Sequence, residues 1–277
     1  MARRDSSPDF IEALARGLDV LRAFEPRQPV MSLAAVAVAA GLPRPTARRV
    51  LLTLERLGYV RIAERGGFEL TPRVLELGTS YVLSRGLWEV ARPHMERLVA
   101  RTHESSSIAE LDGSDIVYVA RVAVPKIVAL AVTIGTRFPA MQTSLGKVLL
   151  AALPTEEAER VLAQPSRSGI TPRWQPDVAE RAVELREVRA RGWALTDQQL
   201  ALGIRSVAVP LRGGDGRVIA SLNVNTHAAE TPVEVLLEHH LPLLMRAAGT
   251  ISADWAACQS VPQVTVLPDA SADVPVP

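Results

Sequence analysis

A winged helix-turn-helix at the front, a helical linker, and an α+β domain with an antiparallel sheet behind it make up the fold class that this sequence predicts. Three observations carry the prediction. Apolar residues recur at helical spacing through about residue 57 and then give way to a glycine-turned hairpin pattern. Between about residues 72 and 102 the pattern is helical, with no flexible Gly/Ser-rich stretch. From Ser105 onward, short alternating runs come in hairpin pairs with helices between the clusters. A length of 277 residues suits two domains.

The first helix rests on Ile11, Leu14, Leu18 and Leu21, one stripe that Phe24 extends and that Pro26 and Pro29 end. Ser32 is placed to cap a second helix through Leu33–Ala40. Gly41, Leu42 and Pro43 break it, and a third helix runs from Arg44-Pro45 to about Leu57, where Gly58 stops it. Ala47, Val50, Leu51, Leu54 and Leu57 share one face of that helix. Arg44 and Arg48, with Thr46 and Arg49 at the edge, turn toward the other. Such a helix fits the major groove, and arginine suits both guanine edges and phosphates. Tyr59–Ile62 and Phe68–Leu70 alternate around Glu64-Arg65-Gly66-Gly67, a hairpin wing with Arg65 near its tip. Arg44, Thr46, Arg48, Arg49 and Arg65 are therefore the candidate contacts to double-stranded DNA. The alternative is a three-helix packing unit with a solvated arginine face. Charge favours the first reading: the segment through Pro72 holds eleven arginines and eight acids, whereas the remainder is slightly acidic.

Thr71-Pro72 starts a linker helix carrying Val74, Leu75, Leu77 and Tyr81, which breaks near Gly86, and a further helix covers Leu87–Thr102. Strands are expected at Ser106–Leu111 and Ile116–Val122 around Asp112-Gly113, then at Ile127–Ile134, Trp193–Asp197, Ile204–Leu211 and Val218–Asn225. Helices are expected at Ser144–Leu153, Thr155–Gln164, Asp177–Arg191 and Pro232–Ala257. The expected domains are a DNA-binding unit over 10–71, a linker over 72–86, an effector unit over 87–258 and a disordered tail over 259–277.

Several function classes are disfavoured. Cys258 is the one cysteine, so neither an internal disulfide nor a cysteine-based zinc cluster can form within the chain. The apolar runs are too short to span a bilayer, and Met1–Pro8 lacks the apolar core of a secretory signal, which makes a cytoplasmic protein the expectation. His94, His103, His227, His239 and His240 show no metal spacing. Ser144-Leu-Gly-Lys147 matches the S-x-x-K acylating pattern, but the S-D-N and K-T-G partners of that chemistry are missing. No catalytic residue, metal or cofactor is expected.

Longer motifs then stand out. Leu14–Phe24, Gly41–Val50 and Leu54–Val60 in the front module join Gly135–Ala140, Thr143–Ala151, Arg191–Gln199 and Gly203–Pro210 in the rear. On these residues the chain resembles the IclR family of bacterial transcriptional regulators over about residues 10–257. It is similar in particular to the branch controlling protocatechuate, p-hydroxybenzoate and β-ketoadipate catabolism. Pro45 and Ala47 depart from the family pattern, in which Ala and a β-branched residue are more frequent. The resemblance implies a GAF-like effector domain, operator DNA as partner, a small carboxylate effector of the aromatic-acid kind, and a homodimer or dimer of dimers. It also implies effector contacts at Ile127, Leu130, Ser144, Leu145, Gly146, Asp197, Ser206, Asn223 and Asn225. The residues agree in part. Ser144 begins a helix whose first amides favour an anion, and Asn223 and Asn225 share one sheet face. As edge-strand polar groups these asparagines have an ordinary structural explanation too. Arg137 and Arg205 are candidates for the effector carboxylate, or else for ion pairs within their own domain. Two other function classes stay open: a small-molecule enzyme with an incidental helical N-terminus, and a metabolite sensor acting through protein partners.

Overall fold

In the computed structural model, which describes residues 7, 9–25, 28–64, 66–78, 86–125 and 132–260, the chain divides into two units, Met1–Arg85 and Gly86–Pro277. The first holds α1 (Glu12–Arg22), β1 (Val30–Met31), α2 (Leu33–Ala39), α3 (Arg44–Arg56), β2 (Val60–Ile62) and β3 (Phe68–Leu70). Ser32 caps α2 by accepting from the Ala35 amide at 3.2 Å. Gly41, at φ +63°, makes the turn into α3, and the Leu42 amide closes it on the Ala37 carbonyl at 2.8 Å. Val20, Val36, Ala47, Leu51, Leu54 and Val60 form the core of this unit.

Strands β2 and β3 pair in register at Arg61 and Glu69, and β1 adds to the far side of β3. The two-residue β1 has no local signal; it exists because β3 offers it an edge. The stripe expected to be buried on α1 is instead exposed at Ile11, Leu14 and Leu18, and the helix buries Val20. Leu57 is exposed as well, since α3 ends one residue before it. Residues 74–78 are helical, whereas 79–85 of the expected linker and Arg65 of the wing lie outside the described residues.

The second unit begins with α4 (Leu87–Thr102), β4 (Ser105–Asp112), β5 (Asp115–Val122) and β6 (Arg137–Pro139). A 3-10 turn (Ala140–Gln142) leads into α5 (Ser144–Ala151), followed by α6 (Thr155–Leu162) and α7 (Val178–Arg191). Strands β7 (Ala194–Asp197), β8 (Ile204–Arg212) and β9 (Val218–His227) follow. Then α8 (Val233–Val235) continues through a π-helical turn (Leu236–His240) into α9 (Leu241–Ser260). The six strands form one antiparallel sheet in the order β6-β5-β4-β9-β8-β7. On one face Ala109, Ile116, Tyr118 and Ala208 meet Leu145 and Leu149 of α5 and Leu185 of α7. On the other, Ile108, Ala120, Val207, Leu222 and Val224 meet Met95 of α4 and Leu244 and Ile251 of α9.

Two expectations shift. Of the strand expected at Ile127–Ile134, residues 127–131 lie outside the described residues and 132–134 are not extended into the sheet. Among the described residues the edge strand on this side is β6, pairing Pro139 with Asp115. Gln259 and Ser260, expected in the tail, belong to α9; residues 261–277 are outside the described residues. Among the described residues no helix is long and apolar enough to cross a membrane.

Candidate functional site

Helix α3 displays Arg44, Arg48 and Arg49 to solvent and holds Thr46 half-buried, while Ala47, Leu51 and Leu54 anchor its opposite side. The three guanidiniums have no acid paired to them among the described residues. That leaves them free to meet phosphates, in contrast to Arg61 of β2, which is tied to Glu69 at 2.6 Å. Arg73 steadies the base of the wing: it lies over the Tyr59 ring at 5.3 Å and donates to the Leu57 carbonyl at 2.9 Å. The wing turns through Gly66 and Gly67, both at positive φ. A side chain at Gly67 would crowd the Met31 carbonyl of β1 at 3.0 Å, so glycine keeps the hairpin against its neighbour.

In the second unit a polar patch interrupts the apolar face beneath the start of α5. Thr143 caps α5 by accepting from the Gly146 amide at 3.0 Å, so Ser144 is the first helical residue and not the cap. The Ser144 hydroxyl, fully buried, shares a hydrogen bond of 2.7 Å with Ser206 of β8, and Ser206 shares another of 2.9 Å with Thr196 of β7. Cross-strand pairing continues the row from Ser206 to Asn225 of β9 and Ser105 of β4. The adjacent row on the same face runs from Asn223 to Ser107 and then to Arg121 of β5. Asn223 accepts from the Ser107 amide at 3.0 Å, and Arg121 donates to the Ser107 hydroxyl at 3.0 Å. Asn225, half-buried, makes no side-chain hydrogen bond among the described residues.

Several expected contacts join this patch and several do not. Ser144, Ser206, Asn223 and Asn225 converge. Leu145 faces the apolar core, and Gly146 lets α5 lie against the preceding turn, since a Cβ there would overlap the Ala140 carbonyl. Ile127 and Leu130 lie outside the described residues. Asp197 and Arg205 pair across β7 and β8 one position along from Thr196 and Ser206, which sets them on the opposite face of the sheet. There Arg205 grips both Asp197 oxygens at 2.9 Å and donates to the Thr231 carbonyl at 2.6 Å. The Arg205 hydrogen bond, working against burial, holds the Asp197 carboxyl below its ordinary value. Arg137 binds Asp112 at 2.6 Å and Asp115 at 3.4 Å, at the hairpin end of β5. That is about 14 Å along the strand from Arg121. Both arginines thus make ion pairs within their own unit. Lys147 is likewise engaged: buried, it donates to Glu184 at 2.7 Å and lies over the Trp174 ring at 4.9 Å. It is not paired with Ser144, so the acylating geometry of an S-x-x-K pair is absent from this segment.

Arg121, Ser105, Ser107 and Thr196 were not singled out in the sequence. For Arg121 the reason is a β-bulge. Strict alternation through Ile116 and Tyr118 would put Ala120 and Val122 on the α5 face and Arg121 on the other. The register slips, however, from Ala109–Tyr118 to Ile108–Ala120, leaving Val119 as the extra residue. Val119, Ala120 and Val122 consequently pack toward α4 and α9, and Arg121 turns to the α5 face.

An arginine-bearing recognition helix with a wing, followed by an α+β unit with a buried polar patch, defines a two-domain transcriptional regulator. The chain belongs to the IclR family: residues 13–62 match the IclR helix-turn-helix domain and residues 79–253 the bacterial transcriptional regulator IclR C-terminal domain. The Pca regulon regulatory protein of Pseudomonas putida is 37% identical over 87% of this chain and 83% of its own length. The p-hydroxybenzoate hydroxylase transcriptional activator of Acinetobacter baylyi is 34% identical over 88% of this chain and 91% of its own. Among solved structures, an IclR homolog complexed with 4-hydroxybenzoate from Microbacterium hydrocarbonoxydans superposes with a TM-score of 0.75 at 28% identity. That match covers 88% of this chain and 99% of the other.

Proposed function

We propose that this IclR-type regulator senses a small aromatic acid, of the protocatechuate or 4-hydroxybenzoate kind, and adjusts its hold on operator DNA in response. The polar patch under α5 carries the reading. Ser144 of α5 and Ser206, Asn223 and Asn225 of the sheet bring hydroxyls and amides together beside the apolar cluster of Ala109, Ala208 and Leu145, the mix of surfaces that suits a flat ring with polar substituents. The relatives support it, since two are named for the Pca regulon and for p-hydroxybenzoate hydroxylase and one was solved with 4-hydroxybenzoate. In this reading Arg44, Thr46, Arg48, Arg49 and the wing-tip Arg65 contact operator DNA. The protein works in the cytoplasm as a homodimer or dimer of dimers. The apolar stripe that α1 leaves exposed at Ile11, Leu14 and Leu18 supports an assembly. The chain needs no catalytic group, cofactor or metal to do this. A thermal-shift screen of the full chain with protocatechuate, 4-hydroxybenzoate and β-ketoadipate tests the reading. Excess effector, at about a hundred times its Kd, adds about 2.7 kcal/mol of stability, so a bound acid raises the melting point by several degrees. No shift with any of them contradicts it.

A further inference from the structure

Among the described residues of the second unit, the arginines and lysines that are not exposed are Arg137, Arg205, Arg181, Lys147 and Arg121, and all but the last have an acid. Arg137, Arg205, Arg181 and Lys147 each face one or two carboxylates at ion-pair distance. Arg121 differs. It is half-buried, it donates to the Ser107 hydroxyl, and no carboxylate pairs with it among the described residues. The neighbouring segment 126–131 contains no Asp or Glu either. Burial lowers the affinity of its guanidinium for the proton, with only the Tyr118 phenol acting the other way. A cation withdrawn from water without a counter-charge is unfavourable, and it is retained here by a bulge that turns it inward. The serines and asparagines beside it are neutral, so the missing partner is an anion.

We infer that Arg121, with Ser107 beside it, receives the carboxylate of the effector, and that the Ser144–Ser206–Thr196 cluster receives a hydroxyl at the ligand's other end. The inference rests on the effector reading above and adds the ligand's orientation and the origin of its acid specificity. The spacing suits it. Three strand intervals separate β8 from β5, about 14 Å between backbones, and the long Arg121 side chain shortens that gap toward the length of one substituted ring. A guanidinium can take a carboxylate through two parallel hydrogen bonds, whereas an uncharged amide of the same shape offers it one weak acceptor.

Isothermal titration of the full chain with 4-hydroxybenzoate, protocatechuate and 4-hydroxybenzamide tests it, alongside Arg121→Met. The wild type binds at least one of the acids, at least about tenfold more tightly than the amide. Arg121→Met loses about tenfold or more for the acid and leaves amide affinity unchanged, so the acid-over-amide preference disappears. The unliganded variant melts no lower than the wild type, because it removes an unpaired charge. Retention of the preference in Arg121→Met overturns the inference while leaving the effector reading intact. Equal losses for acid and amide together with a lower melting point assign Arg121 a packing role and overturn it too. Failure of the wild type to bind either acid overturns both.

Discussion

Single side chains divide the labour between the two units. On α3, Arg48 is exposed and has no acid paired to it among the described residues, so its replacement by alanine removes positive charge without opening the core. Arg48→Ala is expected to weaken operator binding and to flatten its salt dependence by about one unit of log–log slope, with effector affinity unchanged. Fluorescence anisotropy at several salt concentrations and a ligand titration read the two separately. On the far face of the second unit, the Arg205–Asp197 pair is structural. Because the carboxyl is held below its ordinary value of 3.8, its contribution to stability is complete above that pH and lost as the pH falls through the lower value of the folded state. Asp197 is 39% exposed, so solvent screening reduces the pair's worth, and Asp197→Asn is expected to cost about 1 kcal/mol at neutral pH. Urea unfolding should show this deficit shrinking as the pH is lowered from about 5 toward 3. A deficit independent of pH would count against the assignment.

At the scale of elements, α5 is the piece on which the site depends. Its first turn is fixed by the Thr143 cap and by Gly146 lying against the Ala140 carbonyl. Thr143→Ala is expected to cost about 1 kcal/mol of folding stability. Gly146→Ala is expected to cost about 3 kcal/mol, because backbone must move to admit the methyl. Equilibrium unfolding of both variants checks the order. The same scale shows what the sequence makes legible. Helices α2 and α3 announce themselves through Ser32, Gly41 and Pro45, and the β4–β5 hairpin through Asp112-Gly113, because caps and turns are local chemistry. Strands β1 and β6 are short and owe their existence to an edge supplied by a distant segment. The site was half legible. Motif resemblance grouped Ser144, Ser206, Asn223 and Asn225, which the fold brings to one patch, with Asp197, which it sets on the opposite face, because motifs carry no information on sheet faces. Arg121 stayed hidden because a bulge is a property of strand register, and register follows from long-range packing that alternation alone does not encode.

For the whole molecule, the proposed response requires that the acid bind one arrangement of the two units more tightly than another; equal affinity for both would shift nothing. Family membership establishes a regulator in which a helix-turn-helix domain and an effector-type domain share one chain. It does not set the sign of the response, since activation and repression use the same parts. The most direct measurement is therefore the affinity of the full chain for the DNA upstream of its own gene, at fixed salt, with and without saturating protocatechuate or 4-hydroxybenzoate. The account predicts specific binding whose affinity changes at least about fivefold on addition of one of these acids, in either direction. An affinity that stays constant while titration shows the acid bound would contradict it.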